Sequence, residues 1–359
     1  MRKIRVLVVD DSIVIRRLLT DILSQDEQLE VAGVAANGKI ALAKLPQLNP
    51  DLVTLDIEMP ELDGLGTLPE LRKQFPKLPV IMFSTLTARG AVATLDALAR
   101  GATDYVTKPA NVGSVGAGIQ SVKEQLIPKI KALCAPPTAS KSAASKIVCR
   151  PANSASQRCE AIVIGSSTGG PQALATVIGS LPANFPSPIV IVQHMPPVFT
   201  NHLANRLNHE SELDVREARD GDLVQPGQVL IAPGDFHLQL RRVGAQIRVI
   251  THQQPPENSC RPAVDVLFRS AAEVYGNRAL GVILTGMGQD GLRGSRELVD
   301  RGGRLFAQNE ETCVVWGMPR AVVESSLANR VLPLEEISGA LQEAAWSGRA
   351  VRDTVGAAR

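Results

Sequence analysis

The chain has 359 residues, of which 44% are hydrophobic and 3% aromatic, and its 38 basic and 36 acidic side chains leave a net charge of +2. This length predicts about two domains, while the balanced charge and scarce aromatic residues argue against a polyanion-binding or base-stacking protein. We expect a cytoplasmic protein without membrane insertion, because no stretch is apolar for long enough to span a bilayer and the start of the chain lacks a signal-peptide pattern.

Residues 1–128 alternate between short apolar runs and amphipathic stretches. Five runs rich in β-branched residues have the length of strands, at 4–9, 31–35, 51–55, 79–83 and 104–108. After the first run, Ile15, Leu18, Leu19 and Ile22 recur with helical spacing and form one apolar face. Five strand–helix units with short loops predict a parallel sheet covered by helices on both faces.

Polar side chains stand at the ends of four of these runs. Asp10 and Asp11 follow the first, Asp56 the third and Ser84 the fourth, and Lys108 closes the fifth. The carboxyl ends of parallel strands meet at one edge of a sheet, so we expect these side chains to lie together. One aspartate at such a place is more often a helix cap. Three carboxylates beside one lysine instead favour a Mg²⁺ site that could neutralise a phosphoryl group.

Residues 129–159 are a candidate linker between two domains. They are rich in Ala, Ser and Pro and carry six Lys or Arg but no acid, so they hold all of the chain's excess positive charge. A solvated spacer is the simpler interpretation, and contact with an acidic partner is the alternative. Three of the five cysteines fall here, none in a C-x-x-C pair, which favours reduced thiols over disulfides or a zinc site.

Residues 160–350 form the second predicted domain, again α/β with a mostly parallel sheet. Strand-like runs occur at 161–165, 188–193, 228–232 and 279–285, and helical patterns at 170–180, 199–207, 263–275 and 291–301. The patch at 245–250 is predicted to be one arm of a hairpin.

The loop after the first of these strands reads G-x-S-x-G, with Ser167 at its centre and Pro171 in the first turn of the next helix. This is the context of a serine nucleophile between a strand and a helix, although Ser166 stands beside it. The loop lacks the G-x-G-x-x-G spacing and the lysine that nucleotide-binding loops use. His194 and Asp290 follow two other strands, so a Ser–His–Asp triad is possible at the sheet edge.

The first domain resembles the receiver domain of bacterial response regulators through "VLVVDDS", "LDIEMPELDG" and "TKP". The resemblance implies a flavodoxin-like fold and phosphorylation by a histidine kinase. It also implies that Asp56 is the phosphorylated residue and that Lys108 contacts the phosphoryl group. Mg²⁺ would be bound by Asp11, Asp56 and the Glu58 carbonyl, with Asp10 near the metal but not a direct ligand. Ser84 and Tyr105 would be the switch residues.

The second domain resembles the catalytic domain of chemotaxis protein-glutamate methylesterases. The motifs are "IGSSTGG", "VQHMPPVFT", "APGDFHL", "RPAVDVLF", "LTGMGQDG" and "WGMPRAV". The resemblance implies a triad of Ser167, His194 and Asp290, with the Met287 amide as an oxyanion donor and no cofactor for the esterase reaction. Its implied substrates are methylated glutamates and selected glutamines on the cytoplasmic domain of chemoreceptors.

Two other classes of function compete with this interpretation. A response regulator with a DNA-binding output is disfavoured because no helix-turn-helix pattern follows the linker and the second domain is not basic. A nucleotide-binding α/β module without catalysis would bind a dinucleotide and escape labelling by a serine-directed phosphonate.

Overall fold

A computed structural model describes residues 2–109, 115–135 and 158–347. The chain divides into two compact units, Met1–Ser140 and Lys141–Arg359. Residues 136–157 of the predicted linker and 348–350 of the predicted second domain lie outside the described residues.

The first unit alternates strands and helices. Its described strands are β1 (Ile4–Val9), β2 (Leu29–Ala35), β3 (Leu52–Asp56), β4 (Val80–Ser84) and β5 (Asp104–Thr107). Its described helices are α1 (Ile13–Ser24), α2 (Gly38–Leu48), α3 (Gly64–Gln74), α4 (Ala88–Ala99) and α5 (Val115–Cys134). The strands pair in parallel in the order β2-β1-β3-β4-β5. This is the flavodoxin-like order, and it confirms the predicted fold class.

Helix starts in this unit are capped by residues other than the clustered aspartates. The side chains of Ser12, Asn37, Asp63 and Thr87 accept hydrogen bonds from backbone amides in the first turns of α1 to α4. Such caps contribute about 1 kcal/mol each. These four helices therefore do not need Asp10, Asp11 or Asp56 as caps. Helix capping does not explain why the three aspartates stand at the strand ends.

The last helix of the first unit continues past the predicted start of the linker. We predicted a linker from Lys129, but α5 runs to Cys134, because Ile127 and Ile130 are buried against the sheet. Lys129 Nζ lies 2.8 Å from Asp104 Oδ2, and Lys131 Nζ lies 2.7 Å from Asp26 Oδ2. Two of the six charges that we assigned to the linker are thus ion-paired within the first unit.

The second unit contains nine described strands and six described α-helices. The strands are β6 (Ala161–Ser166), β7 (Ile189–Gln193), β8 (Asp214–Glu217), β9 (Gln228–Ile231), β10 (His237–Val243), β11 (Gln246–His252), β12 (Ala279–Ile283), β13 (Arg304–Gln308) and β14 (Arg330–Leu332). The helices are α6 (Gly170–Gly179), α7 (Phe199–Glu210), α8 (Val264–Tyr275), α9 (Leu292–Asp300), α10 (Met318–Glu324) and α11 (Leu334–Trp346).

Seven of these strands form one sheet in the order β14-β13-β12-β6-β7-β9-β8, and all its pairings are parallel. Strands β10 and β11 pair antiparallel, which confirms the predicted hairpin arm. The sequence did not predict β8, β13 or β14. Two of them, β8 and β14, are short edge strands with charged residues, so they show neither alternation nor an apolar run.

The strands that carry the predicted catalytic residues are neighbours in the middle of the seven-stranded sheet. Strand β6 lies between β12 and β7, and all three are fully buried. Their carboxyl ends therefore meet at one place on the sheet edge, which brings the loops after them together.

Candidate functional site

The carboxylates of the first unit surround one lysine. Lys108 Nζ lies 3.0 Å from Asp10 Oδ2 and 2.8 Å from Asp56 Oδ1. Asp10 and Asp56 are almost completely buried, whereas Asp11 is exposed. Asp11, Asp56, Ser84 and Lys108 all line one pocket, so the strand-end residues do come together as the sequence predicts.

Charge at this cluster is poorly neutralised by the protein alone. Burial raises the pKa of Asp56 to about 6, the neighbouring Asp10 carboxylate acts in the same direction, and contact with Lys108 opposes the rise. Burial acts to lower the pKa of Lys108, but its contacts with Asp56 and Asp10 outweigh burial and raise it. A divalent cation would supply the positive charge that one lysine does not.

The donor set fits such a cation. Oxygen atoms of Asp10, Asp11 and Asp56 all lie within 4.8 Å of one another. Carboxylate oxygens are the ligands that hard divalent cations prefer. The Glu58 side chain is exposed and lies 3.3 Å from Arg89 Nε.

The two predicted switch residues are both buried, and Ser84 lines the same pocket as Asp56. Ser84 Oγ accepts a hydrogen bond from Thr94 Oγ1 at 2.7 Å and lies 3.2 Å from the Gly90 carbonyl, to which it donates. Tyr105 is buried, and Lys129 Nζ lies 5.2 Å from the centre of its ring.

A tight turn places Ser167 at the end of β6 in the second unit. The Gly170 amide donates to the Ser167 carbonyl at 2.8 Å, and Gly169 has φ 77° and ψ −2°, the values of the third residue of a type II turn. The left-handed position thus falls on Gly169 rather than on the serine. Ser166 is fully buried and donates to Gln193 Oε1 at 2.7 Å, whereas Ser167 is partly exposed. The difference in exposure therefore favours Ser167 over Ser166 as the nucleophile.

His194 and Asp290 are in direct contact. Asp290 Oδ2 lies 2.8 Å from His194 Nε2, and the aspartate is buried. Burial acts against the imidazolium, but the hydrogen bonds with Asp290 and Cys260 outweigh it and raise the pKa of His194. Because Nε2 faces the aspartate, Nδ1 is the ring nitrogen left for a proton transfer.

The Asp290 carboxylate is held by a set of donors that sequence reasoning missed. Oδ2 accepts from the Val264 amide at 2.6 Å, and Oδ1 accepts from the Asp265 amide at 3.1 Å and the Gly291 amide at 2.9 Å. Asn258 Nδ2 donates to Oδ1 at 2.9 Å. Burial acts to raise the pKa of Asp290, but the contact with His194 and the hydrogen bonds from the Val264 and Asp265 amides outweigh burial and lower it.

A second residue that the sequence did not single out touches the histidine. Cys260 Sγ lies 3.6 Å from His194 Nδ1. Among the contacts of the described residues, none is a hydrogen bond between Ser167 Oγ and the imidazole. Catalytic hydrogen bonds commonly tighten only in the complex with substrate, and Ser167 stays our predicted partner of His194.

Met287 follows the strand end that lies against Ser167. A Cβ added at Gly286 would lie 2.8 Å from Ser167 Cβ, which shows how closely the two loops approach. Within the described part of the chain, no acceptor faces the Met287 amide, whereas the Ser167 amide donates to the Thr285 carbonyl at 3.0 Å. The Met287 amide is thus a free donor one residue from that close approach.

Comparison with known proteins identifies both units. The family model for the CheB methylesterase matches residues 162–341, and that for the response regulator receiver domain matches residues 6–119. A protein-glutamate methylesterase/protein-glutamine glutaminase of Trichodesmium erythraeum is 51% identical over 348 residues, covering 94% of this chain and 98% of the relative. The chain belongs to the CheB methylesterase family.

Two further relatives of this CheB-family chain come from Thermotoga maritima. A protein-glutamate methylesterase/protein-glutamine glutaminase is 45% identical, covering 95% of this chain and 98% of the relative. The crystal structure of the CheB methylesterase catalytic domain is 50% identical with a TM-score of 0.51, covering 52% of this chain and 98% of that one.

Membership of the CheB family with a receiver domain implies chemotaxis signalling with a kinase and chemoreceptors, and phosphorylation with a divalent cation. No comparison supports the alternatives of a DNA-binding output domain or of a dinucleotide-binding module. No described helix combines the length and apolar character needed to cross a bilayer.

Proposed function

We propose that the chain is a phosphorylation-regulated serine hydrolase that removes methyl esters from glutamyl side chains of chemoreceptors and deamidates selected glutamines there. The observation that carries the proposal is the contact of His194 with a buried Asp290, which Asn258 and backbone amides hold in place, near a partly exposed Ser167 at one edge of the parallel sheet. The names of the relatives supply the substrate class.

In this mechanism Ser167 Oγ attacks the ester carbonyl while His194 Nδ1 takes its proton. The tetrahedral intermediate collapses, the proton passes from His194 to the leaving oxygen, and methanol departs from an acyl-enzyme. Water then attacks the acyl-enzyme with His194 again as base, His194 returns the proton to Ser167 Oγ, and the receptor leaves with a free glutamyl carboxylate. With a glutamine substrate the leaving group is ammonia. Asp290 keeps the imidazole oriented and stabilises its cation throughout.

The Met287 amide is the proposed donor to the oxyanion of the tetrahedral intermediate. It has no acceptor within the described residues and follows Gly286, whose backbone approaches Ser167. A fixed amide donor of this kind contributes about 2.7–4 kcal/mol to the transition state.

The receiver controls the hydrolase through Asp56, which accepts a phosphoryl group from a histidine kinase. The pocket beside Asp56 is lined by Asp11, Ser84 and Lys108, of which Lys108 can neutralise phosphoryl charge and both Lys108 and the Ser84 hydroxyl can donate hydrogen bonds to phosphoryl oxygens. Asp11, Asp56 and the Glu58 carbonyl would hold Mg²⁺, with Asp10 in support, and the cation would neutralise phosphoryl charge. Ser84 and Tyr105 would respond to the phosphorylated state. This chemistry takes place in the cytoplasm, on the cytoplasmic domain of the receptors, and without DNA.

The test is methanol release from a methyl-labelled receptor, with and without a small-molecule phosphodonor. We expect release in both cases and faster release with the donor in the presence of Mg²⁺. EDTA should remove the stimulation and leave the basal rate, since the esterase reaction needs no metal. Absence of methanol release from every methylated receptor would reject the proposed substrate.

A further inference from the structure

The loop before α8 presents a thiol to the catalytic histidine. The backbones of Glu257 and Cys260 hydrogen-bond to each other, at 3.1 Å and 2.8 Å, and close a tight turn. Asn258 and Ser259 lie between them with φ of 51° and 61°. The turn is thereby fixed, and it holds Cys260 Sγ 3.6 Å from His194 Nδ1.

This contact is part of a cluster of three metal-ligating side chains. Donor atoms of His194, Cys260 and Asp290 all lie within 4.8 Å of one another. Thiolate and imidazole together favour Zn²⁺ over the hard cations that carboxylates prefer. The two such clusters among the described residues therefore differ in donor type, since the receiver cluster offers carboxylate oxygens alone.

The separation of the two donors fits a zinc ion between them. Zinc binds cysteine sulfur at about 2.3 Å and histidine nitrogen at about 2.0–2.1 Å, and the tetrahedral angle then places these two atoms about 3.6 Å apart. Sγ and Nδ1 have this separation. The ion would lie between the thiol sulfur and the imidazole nitrogen.

Asp290 contacts the ring nitrogen of His194 that does not face Cys260. Metal-bound histidines commonly donate their other ring N–H to a carboxylate, which fixes the ring and strengthens the nitrogen as a ligand. His194 Nε2 lies 2.8 Å from Asp290 Oδ2. The buried Asp265 carboxylate accepts from Asn258, which also donates to Asp290, and it adds negative charge near the site.

We propose that His194 Nδ1 and Cys260 Sγ bind Zn²⁺, with Asp290 supporting the histidine, and that the bound ion inhibits the hydrolase. Water can fill the remaining positions. Binding takes the thiolate and releases the thiol proton to solvent. The ion occupies the nitrogen that must accept the Ser167 proton, so the nucleophile is not activated. The binding site goes beyond the proposed function, and only its inhibitory effect rests on that function.

Binding is tested with Co²⁺ as a spectroscopic substitute for Zn²⁺ on the full chain, with excess Mg²⁺ present to occupy the receiver carboxylates. We expect near-ultraviolet thiolate-to-cobalt absorption that Zn²⁺ removes by competition. Cys260→Ser and Cys260→Ala should lose it, and Cys134→Ser should keep it. Cys134 is the matched control because it is also half-buried but has no metal-ligating cluster among the described residues. Asp290→Asn should weaken Zn²⁺ binding by about 10–100-fold.

Inhibition is tested separately by methanol release at buffered free Zn²⁺. The concentration for half-inhibition should rise by about tenfold or more in Cys260→Ser relative to Cys134→Ser. Cobalt absorption that persists in both Cys260 variants, or that never forms in the native chain, would overturn the site. If absorption behaves as expected but Zn²⁺ leaves methanol release unchanged, the inhibitory role is wrong. A chain that binds Co²⁺ at Cys260 yet never hydrolyses a receptor ester refutes the proposed function alone.

Discussion

Asp56 and Asp290 are the buried carboxylates of the two candidate sites, and they differ in the number of hydrogen-bond donors around them. Each is 3% exposed; Asp56 is the last residue of β3, and Asp290 lies in the loop between β12 and α9. Among the described residues, Asp56 accepts one backbone amide, that of Ile57 at 2.8 Å, and contacts Lys108. Asp290 accepts three backbone amides as well as Asn258 and His194.

The number of donors, rather than burial, separates the two carboxylates. Burial raises the pKa of Asp56 to about 6, whereas the donors around Asp290 outweigh burial and lower its pKa. A carboxylate that accepts many hydrogen bonds, such as Asp290, suits a group that must stay ionised and orient a histidine. A carboxylate with few hydrogen-bond donors, such as Asp56 beside Asp10 and Lys108, suits a group that must itself accept a phosphoryl group and bind a cation.

The largest effect should come from removing the nucleophile at the hydrolytic edge. Ser167→Ala should lower methanol release by about 10⁴-fold or more while the fold persists, and His194→Ala should act similarly because triad members work as a unit. The matched control is Ser166→Ala, which leaves buried Gln193 Oε1 without its partner and costs about 1–3 kcal/mol of stability. Near-normal release from Ser167→Ala would move the nucleophile to Ser166.

The same substitution at both edges tests the comparison directly. Asp290→Asn should lower methanol release by about 10⁴-fold, since the amide cannot fix the histidine tautomer, and it should leave phosphate incorporation intact. Asp56→Asn should abolish alkali-labile phosphate incorporation and the response to phosphodonor, yet keep the basal rate. Asp51→Asn, just before the same strand as Asp56, is the control for receiver integrity. Stoichiometric labelling of Asp56→Asn would contradict the assignment.

The fold and the proposed triad were predictable because their signals are local. The five apolar runs of the first unit and the central strands of the second each stand out by themselves, and strand ends collect polar groups in any parallel sheet. The residues around the triad were not predictable in this way. Asn258 and Cys260 precede the motif "RPAVDVLF" on a loop whose turn geometry, not its periodicity, brings them to Asp290 and His194.

Removing the first unit should have a smaller effect than any triad substitution. If the unphosphorylated receiver inhibits the hydrolase, residues 141–359 alone should release methanol faster than the full chain without phosphodonor, by about 5- to 150-fold for a typical coupling. The cut follows Ser140 because α5 continues to Cys134. Initial rates on the same methylated receptor measure the effect. A truncated enzyme no faster than the full chain would assign the receiver a targeting or activating role instead.

The smallest expected effect is at Asn258, which among the described residues is the one side-chain amide that donates to Asp290. Asn258 has φ 51°, so Asn258→Gly removes the side chain without adding backbone strain. We expect methanol release to fall by less than about tenfold, since three backbone amides still hold the carboxylate and a tenfold change corresponds to about 1.4 kcal/mol.

Asn258→Asp keeps the size of the side chain but places a third carboxylate against Asp265 and Asp290, so methanol release should fall further than in Asn258→Gly. Initial rates and thermal unfolding of the two variants separate catalysis from stability. If Asn258→Gly is as damaging as Asp290→Asn, the backbone amides do not fix the orienting carboxylate and the contrast with Asp56 loses its basis.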